Sequence, residues 1–203
     1  PVTATYIKNA MQKGAKLIVV DPRKIDLAKK ADLWLRQNSG SDVAWINGML
    51  HVIIEEGLAD EEFIAEHTEN FEEMKKTVEQ YPPEKVEEIS GISAEHLRDA
   101  ARLYASSEKS AIVYAMGITQ HVTGTDNVLS LANLALLTGQ IGRESTGVNP
   151  LRGQNNVQGA CDLGSLPNVY PGYQKVADPK SKEKFLDAWG VDYLSDSDGR
   201  TVV

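Results

Sequence analysis

Lys16-Leu17-Ile18-Val19-Val20-Asp21-Pro22-Arg23, answered after a short polar stretch by Asp32-Leu33-Trp34-Leu35-Arg36, is the part of the sequence that decides the fold. Each run is brief, apolar and rich in β-branched or aromatic residues, which suits a strand of a parallel sheet. Asp21-Pro22 stops the first run, because proline has no N–H to give to a ladder. Residues 25–30 between the runs read as a short helix, and residues 2–13 before them as a helix with Tyr6, Ile7 and Ala10 on one face. Helix, strand, short helix, strand is an α/β rhythm. It predicts a Rossmann-like, mainly parallel sheet flanked by helices.

Further along, Ser41 caps a predicted helix running to about Glu56, with Val43, Ile46, Met49, Leu50 and Ile53 on its inner face and Gly57 at its end. Four more helices follow over 60–67, 70–79, 83–89 and 93–106, punctuated by Tyr81-Pro82-Pro83 and Ser90-Gly91. Residues 110–115 return to strand. Residues 125–137 form an apolar helix that Gly139 closes. From there periodicity disappears, and six of the sixteen glycines fall between 139 and 164. A long aperiodic stretch inside a compact domain is usually functional. The organisation expected is an α/β domain over 1–145, then a Gly/Asn-rich loop and C-terminal extension over 146–203, with one short helix near 181–188.

Composition narrows the function classes. The chain has 203 residues, 41% hydrophobic and 25% charged, with a net charge of −8. Fourteen carboxylates against three lysines lie between Glu55 and Glu95, a pattern of solvated helix faces that argues against nucleic-acid binding. Cys161 is the only cysteine, which excludes a disulfide, a zinc cage or an iron–sulfur cluster held by this chain alone and fits a reducing, cytoplasmic setting. No apolar run is long enough to span a membrane. Pro1-Val2-Thr3-Ala4 shows neither an initiator methionine nor a signal-peptide pattern, so the chain reads as an excised segment. Phosphate-loop, GxGxxG, HExxH and nucleophile-elbow patterns are missing. His51, His67, His96 and His121 share no metal-ligand spacing, and Asp196-Ser197-Asp198-Gly199 reads as a surface turn.

Three stretches stand out. Asp21 and Arg23 close the first strand, where an acid in an open α/β sheet accepts from a ribose hydroxyl; the plainer reading is that Asp21-Pro22 only ends the strand. Asn38-Ser39-Gly40-Ser41-Asp42 follows the second strand. Either Ser41 or Asp42 caps the helix, or the Asp42 carboxylate accepts from the adjacent N–H and NH₂ of a guanine edge. The third is Pro150-Leu151-Arg152-Gly153-Gln154-Asn155-Asn156-Val157-Gln158-Gly159-Ala160-Cys161-Asp162. One arginine among amides and glycines suits two-point capture of a carboxylate, the alternative being a surface arginine in a polar turn.

The run from Arg152 to Gly164 strongly resembles the formate dehydrogenase branch of the molybdopterin oxidoreductases. So do Val19-Val20-Asp21-Pro22-Arg23, Ala115-Met116-Gly117-Ile118-Thr119-Gln120, Leu136-Leu137-Thr138-Gly139-Gln140-Ile141-Gly142 and Pro167-Asn168-Val169-Tyr170-Pro171-Gly172-Tyr173-Gln174. The likeness covers nearly the whole chain, and the arginine–amide run is its most specific part. The resemblance implies two molybdopterin guanine dinucleotides around one molybdenum or tungsten. It sets Asp21, Arg23, Gly40 and Asp42 at the guanosine end of one of them, with Met116, Gly117 and Gln120 along its pterin and phosphates. Gly153 and Gln154 would lie near the metal, and Arg152 would hold formate during its oxidation to carbon dioxide. It further implies that the metal's cysteine or selenocysteine ligand, a [4Fe-4S] cluster and the first strand of the dinucleotide domain belong to segments outside this chain, as do electron-transfer subunits. No metal ligand is expected here: Cys161 reads as a buried neutral thiol. The chain alone is then expected to be inactive. A nitrate reductase-like member, a respiratory-complex relative without pterin and a non-catalytic nucleotide-binding module are the rival readings.

Overall fold

A computed structural model describes residues 2–200, in two compact units that divide between Leu151 and Arg152. In the first unit, helix α1 (Val2–Gln12) leads to β1 (Ile18–Val20) and β2 (Leu33–Leu35), which pair in parallel with Val20 opposite Leu35. Residues 26–30 are turns, not the expected helix. A single helix-type bond, Lys29 N–H to Ile25 C=O at 3.1 Å, does not propagate, and one isolated turn is below the length at which helix formation becomes favourable.

Helix α2 (Asp42–Glu55) is the centre of the unit. The periodicity predicts one inner face, but Ala44, Trp45, Ile46, Asn47, Gly48, Met49, Leu50, Val52 and Ile53 are all buried, whereas Val43 is partly exposed. A helix apolar around most of its circumference belongs inside a layer of other helices. These are α3 (Glu61–His67), α4 (Phe71–Val78), α5 (Pro83–Ser90), α6 (Ala94–Ala105) and α8 (Gly124–Leu137), of which α4, α5, α6 and α8 touch α2 directly. Gly48 lets α5 and α6 approach closely: a Cβ there would stand 2.8 Å from Leu97 and 2.9 Å from Val86. All five lie within a residue of the bounds that the periodicity sets.

Strand β3 (Ala111–Tyr114) runs into a four-residue helix, α7 (Met116–Thr119), absent from the sequence reading. The aperiodic stretch after Gly139 is not loop throughout. Gly147–Pro150 forms β4, parallel to β3 with Ala111 opposite Gly147 and Tyr114 opposite Pro150. A Gly-Val-Asn-Pro strand has no local β preference, so its pairing is made by the neighbour. The result is α/β with small parallel sheets: β1–β2 and β3–β4 are separate two-stranded pairs among the described residues, where one continuous sheet was expected. Ile18, Val20, Leu33, Ile112, Tyr114 and Val148 from both pairs pack on the same helical core.

The second unit holds α9 (Val157–Asp162), an antiparallel pair of β5 (Val169–Tyr170) and β6 (Gln174–Lys175) joined by a tight turn, and α10 (Pro179–Trp189). Asp178 caps α10 by accepting from the backbone N–H groups of Lys180 and Ser181, with Pro179 in the first helical position. Tyr170, Phe185 and Trp189 stack with ring centroids 4.8–5.9 Å apart. Among the described residues, no helix is long and apolar enough to cross a membrane.

Arg102 of α6 donates two hydrogen bonds, each 2.8 Å, to the Glu56 carboxylate at the end of α2. That pairing holds the Glu56 carboxyl below its ordinary value near 4.5. A lowered folded value contributes stability above the ordinary carboxylate range and loses it as pH falls through the folded value. Urea unfolding followed from neutral pH down to about pH 3 is therefore expected to show a shallower acid limb in Arg102→Ala than in wild type. Leu50→Ala, at a fully buried position, is expected to lower unfolding free energy by about 2–5 kcal/mol in the same assay.

Candidate functional site

Parallel pairing of β1 and β2 brings two chain exits side by side, Asp21-Pro22-Arg23 and Arg36-Gln37-Asn38-Ser39. Asp21 is turned back on its own loop: its Oδ1 accepts from the Arg23 backbone N–H at 2.7 Å, and its carbonyl accepts from Trp34 Nε1–H at 2.9 Å. Trp34 in turn carries the Lys24 ammonium 5.1 Å above its ring. The Asn38 N–H donates to Ser90 C=O at 2.7 Å and its side-chain amide to Ile89 C=O at 3.2 Å, which ties the second exit to the end of α5. Between the exits lies an open cavity of about 460 Å³ lined by Pro22, Arg36, Gln37, Asn38, Ser39 and Gly91. Gln37 Oε1 is buried and has no donor among the described residues.

Gly40 has φ +86°, a backbone state that side chains resist, and it delivers the chain into α2. The expected capping by Ser41 is not what the structure contains. Ser41 Oγ donates to Asn38 C=O at 2.7 Å and makes no cap bond, so it closes the loop before the helix. Asp42 opens the helix and is 3% exposed. Its Oδ1 accepts from Trp45 Nε1–H at 3.2 Å. Its Oδ2 has no hydrogen-bond donor among the described residues and lies 3.7 Å from His121 Nε2.

His121 belongs to the turn between α7 and α8, so the structure brings Asp42 together with the segment carrying Met116, Gly117 and Gln120. His121 Nε2 is 2.9 Å from Gly117 C=O, which can only accept, so this nitrogen carries the ring proton. Gln120 donates to Met116 Sδ at 3.4 Å, and the Met116 side chain is half exposed. The turn is held from below: fully buried Asn127 donates to Ile118 C=O at 2.8 Å. The sequence reading missed His121, since nothing in the spacing of the four histidines marks it; only its place next to Gln120 hints at a site. His51 is a packing histidine, its Nδ1 3.1 Å from Val78 C=O.

In the second unit, Arg152, Gly153 and Gln154 are exposed, and Arg152 makes no ion pair or hydrogen bond among the described residues. The helix after them is firmly seated. Asn156 precedes α9 at φ 49°, and its amide lies against Gly159, where a Cβ would stand 2.7 Å away. Gln158 Nε2 donates to Asp162 Oδ1 at 2.9 Å and Tyr173 Oη at 3.1 Å. Gly164 meets Pro171 so closely that a Cβ would stand 2.8 Å from its nitrogen. Cys161 is free and buried, as expected. No group of three or more His, Cys, Asp or Glu side chains suited to a metal ion occurs among the described residues.

A Cβ at Gly124 would overlap the Thr119 carbonyl oxygen, so the 119–124 turn accepts no side chain there. Gly124→Ala is expected to lower the thermal midpoint and to raise amide exchange over residues 116–123; unaltered exchange in that segment would contradict the packing described.

Residues 1–195 match the family model described as molybdopterin oxidoreductase. Formate dehydrogenase H of Escherichia coli (strain K12) is 54% identical over 194 residues, covering 96% of this chain and 27% of that protein. The F420-dependent formate dehydrogenase subunit alpha of Methanocaldococcus jannaschii is 49% identical over 202 residues, covering 100% of this chain and 30% of that one. Among solved structures, acetylene hydratase from Pelobacter acetylenicus superposes with a TM-score of 0.69 at 34% identity, covering 70% of this chain and 20% of that chain. The chain spans less than a third of the length of these curated relatives.

Proposed function

The chain belongs to the molybdopterin oxidoreductase family, and we propose that it is a segment of the catalytic subunit of a molybdenum- or tungsten-dependent formate dehydrogenase. In this reading the two parallel pairs are parts of one Rossmann-like sheet, on which residues 1–145 bind a molybdopterin guanine dinucleotide. Residues 146–203 form the active-site loop and its extension. The metal's protein ligand, a [4Fe-4S] cluster and the electron-transfer partners lie outside this chain, and the subunit is cytoplasmic.

The residues present fit such a ligand. Gln37 Oε1, a buried acceptor without a donor among the described residues, lines the open cavity at the exits of a parallel strand pair, and Asp42 Oδ2 at the start of α2 makes no hydrogen bond among them. A buried acceptor without a donor is costly, and an incoming N–H removes that cost. Asp42 would accept from the guanine edge, with Asp21, Arg23 and Gly40 at the guanosine end. Met116, Gly117 and Gln120 would hold the pterin and phosphates, and Gly153 and Gln154 the part nearest the metal. When bound, the cofactor supplies the two-electron redox chemistry. The protein's own contribution is position and charge. The Arg152 guanidinium grips the formate carboxylate through two N–H bonds and keeps its C–H directed toward the reacting centre while charge redistributes.

The observation that carries this reading is the Arg152 loop: an arginine with no partner among the described residues, flanked by glycine and amides, leading into a helix pinned by Gly159, Gly164 and Gln158. Such a cation is available to a substrate anion. Metal and pterin analysis of the full-length protein, with a formate-oxidation assay, tests the whole proposal. A protein that contains neither metal nor pterin is a nucleotide-binding module, and one that reduces nitrate without oxidising formate belongs elsewhere in the family. Arg152→Ala in the full-length enzyme is expected to cut kcat/KM for formate by about a hundredfold or more at near-normal metal content. Asp42→Ala is expected to lower dinucleotide occupancy, read as GMP released on acid hydrolysis; full occupancy would remove the guanine role.

A further inference from the structure

Asp42 presents an unusual problem. It is 3% exposed, its Oδ1 is bonded to Trp45, and its Oδ2 has no donor within hydrogen-bond distance among the described residues. His121 Nε2 lies 3.7 Å from Oδ2 and 2.9 Å from the Gly117 carbonyl. One imidazole thus stands between the first residue of α2 and the first turn of α7. It does not stand there by accident of a loose loop. Asn127, fully buried, bonds Ile118 C=O, the Thr123 hydroxyl meets the Asn127 side chain at 3.4 Å, and Gly124 presses on Thr119 C=O. The turn that carries His121 is fixed from three directions.

We propose that His121 is a positioning residue for ligand binding: its Nε2–H donates to Gly117 C=O while the ring stands 3.7 Å from Asp42 Oδ2, and so sets the carboxylate and the α7 backbone at one spacing for a nucleobase with adjacent N–H donors. This rests on the reading of Asp42 as an acceptor for the guanine of the dinucleotide. A buried carboxylate free to rotate would present its second oxygen in several directions. With Trp45 on one side and His121 on the other, it presents one edge, and binding then loses less freedom. The same contact makes the 40–42 and 116–121 segments move together, so a ligand gripped by one is met by the other.

The inference is tested on the purified full-length protein by GMP released per polypeptide after acid hydrolysis. His121→Phe keeps the ring volume and removes the N–H, and His121→Ala serves if the phenylalanine is not accommodated. Either is expected to retain several-fold less GMP, since the carboxylate and the α7 backbone lose the imidazole that fixes their spacing and binding then costs more freedom. His121→Gln, whose amide N–H reaches the same acceptors, is expected to restore most of the loss, which a role in packing alone would not. In an Asp42→Asn background His121→Phe is expected to add little, because both changes break one linkage. Unchanged GMP in His121→Phe, no rescue by glutamine, or fully additive losses would each overturn the assignment. A wild-type protein that releases no GMP overturns the dinucleotide reading with it, whereas wild-type GMP with an indifferent His121 removes this inference alone.

Discussion

A helix buried on nearly every side that begins with a buried carboxylate is the constraint on which the first unit depends. Helix α2 is touched by α4, α5, α6 and α8, and Ile46, Leu50, Val52 and Ile53 are fully buried. Such a helix can shift little without opening several interfaces at once, because protein interiors are close-packed. Its first residue inherits that immobility. Asp42 is consequently held in a fixed place, with Oδ1 bonded to Trp45 and Oδ2 unbonded among the described residues.

The same division of labour recurs across the molecule. Rigid elements carry the backbone, and the short exits between them are pinned by hydrogen bonds and close glycine contacts. Gly40, Ser41 and Asn38 lock the loop ahead of α2, and Asn127 and Gly124 lock the turn ahead of α8. Asn156, Gly159 and Gly164 seat α9 behind the Arg152 loop. Glycine is needed at these points for close approach or for positive φ. A loop held in this way presents its polar groups at fixed positions, so that binding loses little conformational freedom.

Much of this was legible before any coordinates. The first helix and the two strands of 2–36, the acidic helices and the apolar run 125–137 carry patterns strong enough to define them. The Arg152 run marks itself by its density of amides and glycines. What stayed hidden has a common physical cause. β4 is Gly147-Val148-Asn149-Pro150, and its strand state comes from β3; α9 contains Gly159 and starts from a left-handed Asn156. In both, tertiary contact overrides local preference. Residues 25–30 fail in the opposite direction, since a helical pattern too short to propagate collapses to turns. His121 was invisible because its significance lies in what it touches, not in its spacing from other histidines.

Cys161 has a consequence for how the two units can be watched. It is the only thiol in the chain, it is buried, and it belongs to the unit beginning at Arg152. Trp34 and Trp45 lie in the other unit, and Trp189 is half exposed in the same unit as Cys161. Indole emission therefore reports on both units together, whereas a thiol-specific dye labels one unit only, and only when that unit opens. Its labelling rate separates the opening of the unit beginning at Arg152 from unfolding of the whole chain, without any engineered cysteine.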